Sequence, residues 1–197
     1  LLLSACNSGS TFTVEGSVSD AEGKKLYLEA SQIDGVVLLD SVKLKGNGAF
    51  KFKYPKPEAP DFYRLRVDDK IINFSIDSTE AVTINAPYAG FTTEYTVTGS
   101  PDSEKIKELT VKQIQLQKEM NTLLKDAQSN QLDNEAVQEK MAGLLDAYKN
   151  DVKVKYIYSA PNTASAYFAL FQRVNNFLIF DPLSSREDVK GFGAVAT

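Results

Sequence analysis

Gly99-Ser100-Pro101-Asp102 is where the chain changes grammar, and its reading decides the fold class. Ser100 can cap a helix, Pro101 suits the first helical position, and Asp102 and Glu104 place negative charge beside the positive end of that helix. Before this point the sequence runs in short alternating segments broken by turn residues. After it, apolar residues recur at steps of three and four. The expected class is therefore α+β: an N-terminal antiparallel β-sandwich or open barrel of about eight strands, then an αα-hairpin and short helices.

Upstream, Phe12, Val14, Gly16 and Val18 alternate with Thr13, Glu15 and Ser17, and Leu26 and Leu28 alternate with Tyr27 and Glu29. Runs at 36–44, 49–54, 62–67, 71–76, 82–85 and 92–98 follow. Asp68-Asp69-Lys70, Asp77-Ser78-Thr79-Glu80 and Pro87-Tyr88-Ala89-Gly90 separate the later ones, as expected of antiparallel sheets with one wet face. Gly46-Asn47-Gly48 tolerates positive φ and predicts a hairpin joining Val42-Lys43-Leu44 to Phe50-Lys51-Phe52.

Downstream, Ile106, Leu109, Gln113, Leu116, Met120, Leu123 and Ala127 form one amphipathic stripe. Beyond the polar link Ser129-Asn130-Gln131, a second stripe runs through Val137, Met141, Leu144, Leu145, Tyr148, Val152 and Tyr156 towards Ser159. Two long helices of opposite direction, packed on each other, follow from this pattern. Pro161-Asn162 ends the pair. Residues 164–171 read as a short apolar helix, 175–180 as a half-buried segment, and Asp181-Pro182-Leu183-Ser184-Ser185 as a loop capping a last helix from Arg186.

A chain of 197 residues with 43% hydrophobic content can build one large domain or two small ones. Its 22 basic and 26 acidic residues give a net charge of −4, with no basic cluster, so nucleic acid is not an expected partner. Cys6 is the single cysteine and histidine is absent. That excludes a disulfide within the chain, Cys/His zinc sites, and any Ser-His or Cys-His catalytic pair. No metal and no cofactor are expected.

Asp68-Asp69 and the pair Asp77 and Glu80 have the chemistry of acid/base groups or calcium ligands, yet acidic residues at hairpin turns explain them without a site. The Lys/Glu/Gln surface from Lys105 to Lys125 reads as a solvated helix face. Gly191-Phe192-Gly193 follows no strand and is no dinucleotide loop. Phe50, Phe52, Phe62, Tyr63, Tyr167, Phe168 and Phe171 could line a groove, but aromatic side chains dominate cores and packing is the expected role. No catalytic residues are assigned.

Leu1-Leu2-Leu3-Ser4-Ala5-Cys6 reads as the end of a secretory h-region and a lipobox. Small residues before the cysteine fit a tight peptidase pocket, and the thiol is the acceptor for diacylglycerol, so Cys6 is the expected lipidation site. Asn7-Ser8-Gly9-Ser10-Thr11 suits a flexible tether. Several acyl chains on one cysteine anchor firmly, because each buried methylene adds about 0.8 kcal/mol. The expected division is 1–6 leader remnant, 7–11 tether, 12–99 β-rich domain and 100–197 helical region, cut short at its C-terminal end.

The strand Phe12-Thr13-Val14-Glu15-Gly16-Ser17-Val18, with its V-x-G-x-V pattern, is followed by a G-x-F-x-F turn in Gly46-Asn47-Gly48-Ala49-Phe50 and by a helical region containing Pro161-Asn162-Thr163-Ala164-Ser165-Ala166-Tyr167. With the lipobox, this order resembles the N-terminal module of Bacteroidetes lipoproteins whose C-terminal part is a thioredoxin-like thiol-disulfide oxidoreductase. The resemblance implies an envelope address, with a lipid anchor in the outer membrane facing the periplasm. It also implies a non-catalytic role, positioning the redox domain or recognising its client. The family's redox part carries a C-x-x-C pair that is missing here, so that domain is expected beyond Thr197 or not at all. A stand-alone lipoprotein binding a small molecule, glycan or protein through its β-domain is the alternative, and a carboxylate-only hydrolase a third.

Overall fold

The computed structural model describes residues 10–32, 34–130, 133–183 and 185–196. The lipobox with Cys6, tether residues 7–9, Gln131 and Ser184 lie outside them. By compactness the chain divides into residues up to Lys107 and residues from Glu108 on.

Among the described residues the first unit holds eight strands: β1 Thr11–Ser19, β2 Lys25–Gln32, β3 Gly35–Lys43, β4 Ala49–Pro55, β5 Asp61–Val67, β6 Lys70–Ile76, β7 Ala81–Pro87 and β8 Thr96–Thr98. They form two open four-stranded sheets, ordered β4-β1-β7-β8 and β3-β2-β5-β6. Alternation sets the inner faces. Phe12, Val14 and Val18, Phe50 and Phe52, and Val82 and Ile84 from one sheet share a single core with Leu26 and Leu28, Leu65 and Val67, and Ile72, Phe74 and Ile76 from the other. This is sandwich packing, with alternate residues of most strands turned inward and β3 adding only the partly buried Leu39 and Val42.

Three readings of this half need correction. The Gly46-Asn47-Gly48 turn does not join a hairpin, because β3 pairs with β2 while β4 pairs with β1 in the other sheet. Leu44 still bonds across to Lys24 and Gly23, whereas Gly48, at φ 63°, has turned the chain so that its carbonyl accepts from the Val18 N–H at 2.9 Å. A positive-φ turn serves a crossover between sheets as well as a hairpin, and leucine burial at the sheet edge favoured the crossover. The sheets are also not wholly antiparallel: β1 and β7 pair in parallel from Thr13↔Ala81 to Ser19↔Pro87. A parallel pair needs a long connection, and here the entire second sheet supplies it. The run expected at 92–98 is a strand over Thr96–Thr98 alone, since N–H groups of Phe91, Thr93 and Glu94 bond back to Tyr88 and Gly90 in successive turns.

Helix α1, Pro101–Asn130, starts as its sequence indicates: the Ser103 N–H donates to the Ser100 hydroxyl at 3.3 Å. In the second unit it runs antiparallel to α2, Asn134–Val152, as the ion pair Lys112–Asp151 at 2.8 Å and the hydrogen bond from Tyr156 to Glu108 at 2.8 Å fix. A π-helical turn, Lys153–Ile157, follows, and then α3 Ala164–Leu170 with Thr163 as its cap. The segment read as half-buried is a small hairpin, β9 Arg173–Val174 and β10 Phe177–Leu178, whose Asn175 and Asn176 both have positive φ. That is the primed-turn geometry two asparagines tolerate. Helix α4, Arg186–Val195, is capped by Ser185 and contains Gly191-Phe192-Gly193. Among the described residues no helix is long and apolar enough to cross a membrane.

Candidate interaction edge

Among the described residues the first unit has four sheet edges, and three are protected. Strand β4 carries Lys51 and Lys53 and ends on Pro55, with Lys51 paired to Glu15 at 2.7 Å. Strand β8 is three residues long. Strand β6 is sealed at Ser75: the Ser103 hydroxyl donates to its carbonyl at 2.9 Å and accepts from its N–H at 3.1 Å. These are the devices by which sheets avoid adding strands.

Strand β3 has its bulge, Asp40 and Lys43 in its C-terminal half, whereas its N-terminal part, residues 35–38, has none of these devices. The strand's nine residues pair with β2 on one side, and among the described residues no strand covers the other. Val36, Val37 and Leu38 are 45%, 43% and 56% exposed, a consecutive apolar run on a free edge. A bulge between Leu28 and Glu29 shifts the register, so that Val36 and Leu38 lie opposite Ser31 and Glu29 on the outer face of the sheet.

That outer face is charged. Glu29 lies buried between two arginines, its carboxylate accepting from Arg64 Nε at 2.6 Å and from Arg66 Nη2 at 2.7 Å. Burial pushes the Glu29 carboxyl up, but the Arg66 and Arg64 guanidiniums outweigh it and hold the group below the ordinary range. The Arg66 guanidinium stacks 4.2 Å from the centre of the Tyr27 ring, and Lys25 sits 5.2 Å from the same ring. The register places Lys25 directly opposite Lys43.

The residues singled out from sequence are scattered. Asp68, in the β5–β6 turn at φ 51°, pairs with Lys24 at 2.6 Å and accepts from the Tyr88 hydroxyl at 2.6 Å. Asp69 is exposed beside it. Glu80 folds its carboxylate onto the N–H groups of Asp77 and Ser78, so this pair closes a turn. Phe50, Phe52 and Tyr63 are core residues, Phe62 is half-buried, and Phe168 packs against the helical core. Tyr167 and Phe171 depart from the core reading, being 49% and 45% exposed, with their rings tilted against each other at 4.7 Å.

Sequence reasoning missed two ionic clusters. One is Glu29 with Arg64 and Arg66, separated by 35 and 37 positions. The other is Asp188 in the second unit, 1% exposed, with Lys149 2.6 Å from Oδ2, Lys153 3.2 Å from Oδ1, and the Asp181 N–H donating at 3.0 Å. Strand alternation would have put Glu29 and the arginines on outward faces, but nothing local reveals that those faces adjoin.

Residues 12–106 match the family described as "Domain of unknown function (DUF4369)", so the recognisable β-rich part is a domain of unknown function. Comparison with curated proteins gives no match. Among solved structures, a crystal structure of (S)-allantoin synthase shares 13% identity at a TM-score of 0.34, over 47% of this chain and 45% of that one. The chain thus matches less than half of that protein's length, and a likeness so slight carries no argument.

Proposed function

We propose that the chain is a non-catalytic, membrane-tethered binding module of the bacterial cell envelope, lipidated on Cys6, that recognises a client protein or positions a thioredoxin-like redox domain. The observation that carries the binding role is the free apolar edge of β3 in a domain whose other edges are blunted. Four carboxylates are held in ion pairs or hydrogen bonds rather than left poised for proton transfer: Glu29 by arginines, Asp68 by Lys24 and Tyr88, Asp151 by Lys112, and Asp188 by lysines. The outer membrane, facing the periplasm, is the proposed location.

The anchor is tested by feeding cells a fatty-acid analogue. The intact precursor takes up label and fractionates with membranes, while Cys6→Ser does neither; equal labelling of that variant would remove the lipid anchor from the proposal. The alternative, a stand-alone lipoprotein that binds a small molecule on its β-domain, draws on a shallow hollow of about 650 Å³ lined by Gly16, Val42, Lys43, Lys45, Asn47 and Phe50, among others. Shifts confined to those amides on titration with small anions would favour it.

A further inference from the structure

We infer that β3 is a strand-addition site for an extended, acidic and apolar segment of a partner polypeptide. The inference rests on the binding role proposed above and names the chemistry of the partner. Strand addition needs an edge with unpaired backbone groups, room for alternate side chains on both faces, and a reason to prefer one partner. Gly35–Lys43 provides the edge, long enough for a full strand, while the other three are blocked by lysines and proline, by shortness, or by the Ser103 hydroxyl. Val36 and Leu38 lie on the outer face and Val37 on the opposite one, so an added strand meets exposed apolar side chains on both of its own faces.

Charge decides the preference. By alternation and register, the outer face near the free edge carries Lys43 on β3 and Lys25 on β2, while Arg64 and Arg66, farther in on β5, are taken up by Glu29. Asp40 lies on the other register, opposite Leu28, and bends its carboxylate back to accept from the Ser41 N–H. Lys25 directly across from Lys43 is a like-charge pair, which opposes sheet formation unless an anion lies between or beside the two ammonium groups. An incoming strand whose outer-face residues are branched and apolar where they meet Val36 and Leu38, and carboxylates where they meet Lys43, relieves that repulsion and covers the apolar pair in one register. A basic segment would add to the repulsion.

The test uses the chain bearing Cys6→Ser and a fluorescent peptide of about eight residues, a usual strand length, with valines in the half that meets residues 35–38 and aspartates at the outward positions of the half that meets residues 41–43. The expected result is saturable binding that weakens with salt and shifts the amides of Gly35–Lys43. Leu38→Lys, a change at an exposed position that should leave the melting temperature unaltered, is expected to weaken binding at least about tenfold. A peptide with lysine for aspartate, and one with alternate amides N-methylated so that it cannot complete a ladder, should bind at least about tenfold more weakly too. No binding at millimolar peptide, equal binding of either control, or shifts mapping away from β3 would overturn the assignment. So would a dimer in solution that Leu38→Lys dissolves, which would give the edge to a second copy. None of these outcomes touches the labelling result for Cys6, so failure of the edge and failure of the anchor are separately visible.

Discussion

Gly16 and Gly48 occupy the two glycine positions of the V-x-G-x-V and G-x-F-x-F patterns, and the reason for each is a close backbone approach. A Cβ on Gly16 would stand 1.8 Å from the Ile84 carbonyl oxygen across the parallel β1–β7 pair, and one on Gly48 1.9 Å from that of Val18. Both have positive φ, so a larger residue meets strain as well as collision. Gly16→Ala is expected to cost more than about 2 kcal/mol, measurable as a lowered denaturation midpoint, whereas Gly23→Ala, with open space around it, should cost less. Asp188 supplies a test in acid. Burial pushes its carboxyl up, but Lys149, the Asp181 N–H and Lys153 together outweigh that and hold it below the usual value. A group depressed in the folded state stabilises above its unfolded pKa, about 4, and that contribution disappears as pH falls through the folded value. Asp188→Asn should therefore destabilise by about 3–5 kcal/mol at neutral pH, because two lysines lose their partner, and should flatten the acid limb of a stability–pH curve. An unchanged acid limb would show that other carboxylates dominate it.

At the scale of elements, the αα-hairpin is graded along its length. Leu109 and Leu116 are buried in the helical core with Val152 and Tyr156, while Leu123 is half-buried and Leu124 39% exposed. The even amphipathic stripe of the sequence hides this gradient, because periodicity shows which face is apolar and not what covers it. Leu116→Ala should cost about 2–5 kcal/mol through lost burial and a residual cavity, and Leu124→Ala about 0.5 kcal/mol or less, both read by chemical denaturation. A midpoint unmoved by Leu116→Ala would contradict the core assignment. The strands teach the complementary lesson. Alternation located seven of the eight closely, but pairing escaped it: the turn residues before β4 fit a hairpin and a crossover equally, and the choice rests on Leu44 entering the shared core.

For the whole molecule, the sequence content sets what the chain can do chemically. With Cys6 as its sole thiol, residues 7–197 have no sulfur able to exchange, and should show no reduction of insulin disulfides by a turbidity assay; activity above the buffer control would overturn the non-catalytic reading. The amino-acid sequence by itself determined the α+β class, the change of grammar at Gly99-Ser100-Pro101-Asp102, the capped helix starts and the lack of disulfides, Cys/His zinc sites and His-based catalytic pairs within the chain. These follow from composition, period and caps, which act between residues a few positions apart. Tertiary structure alone decided the sheet partners, the parallel β1–β7 pair, the Glu29–Arg64–Arg66 and Asp188 clusters, and which sheet edge stayed open. Each of those joins groups tens of residues apart, and their meeting depends on how the core is closed, a competition that no local pattern records.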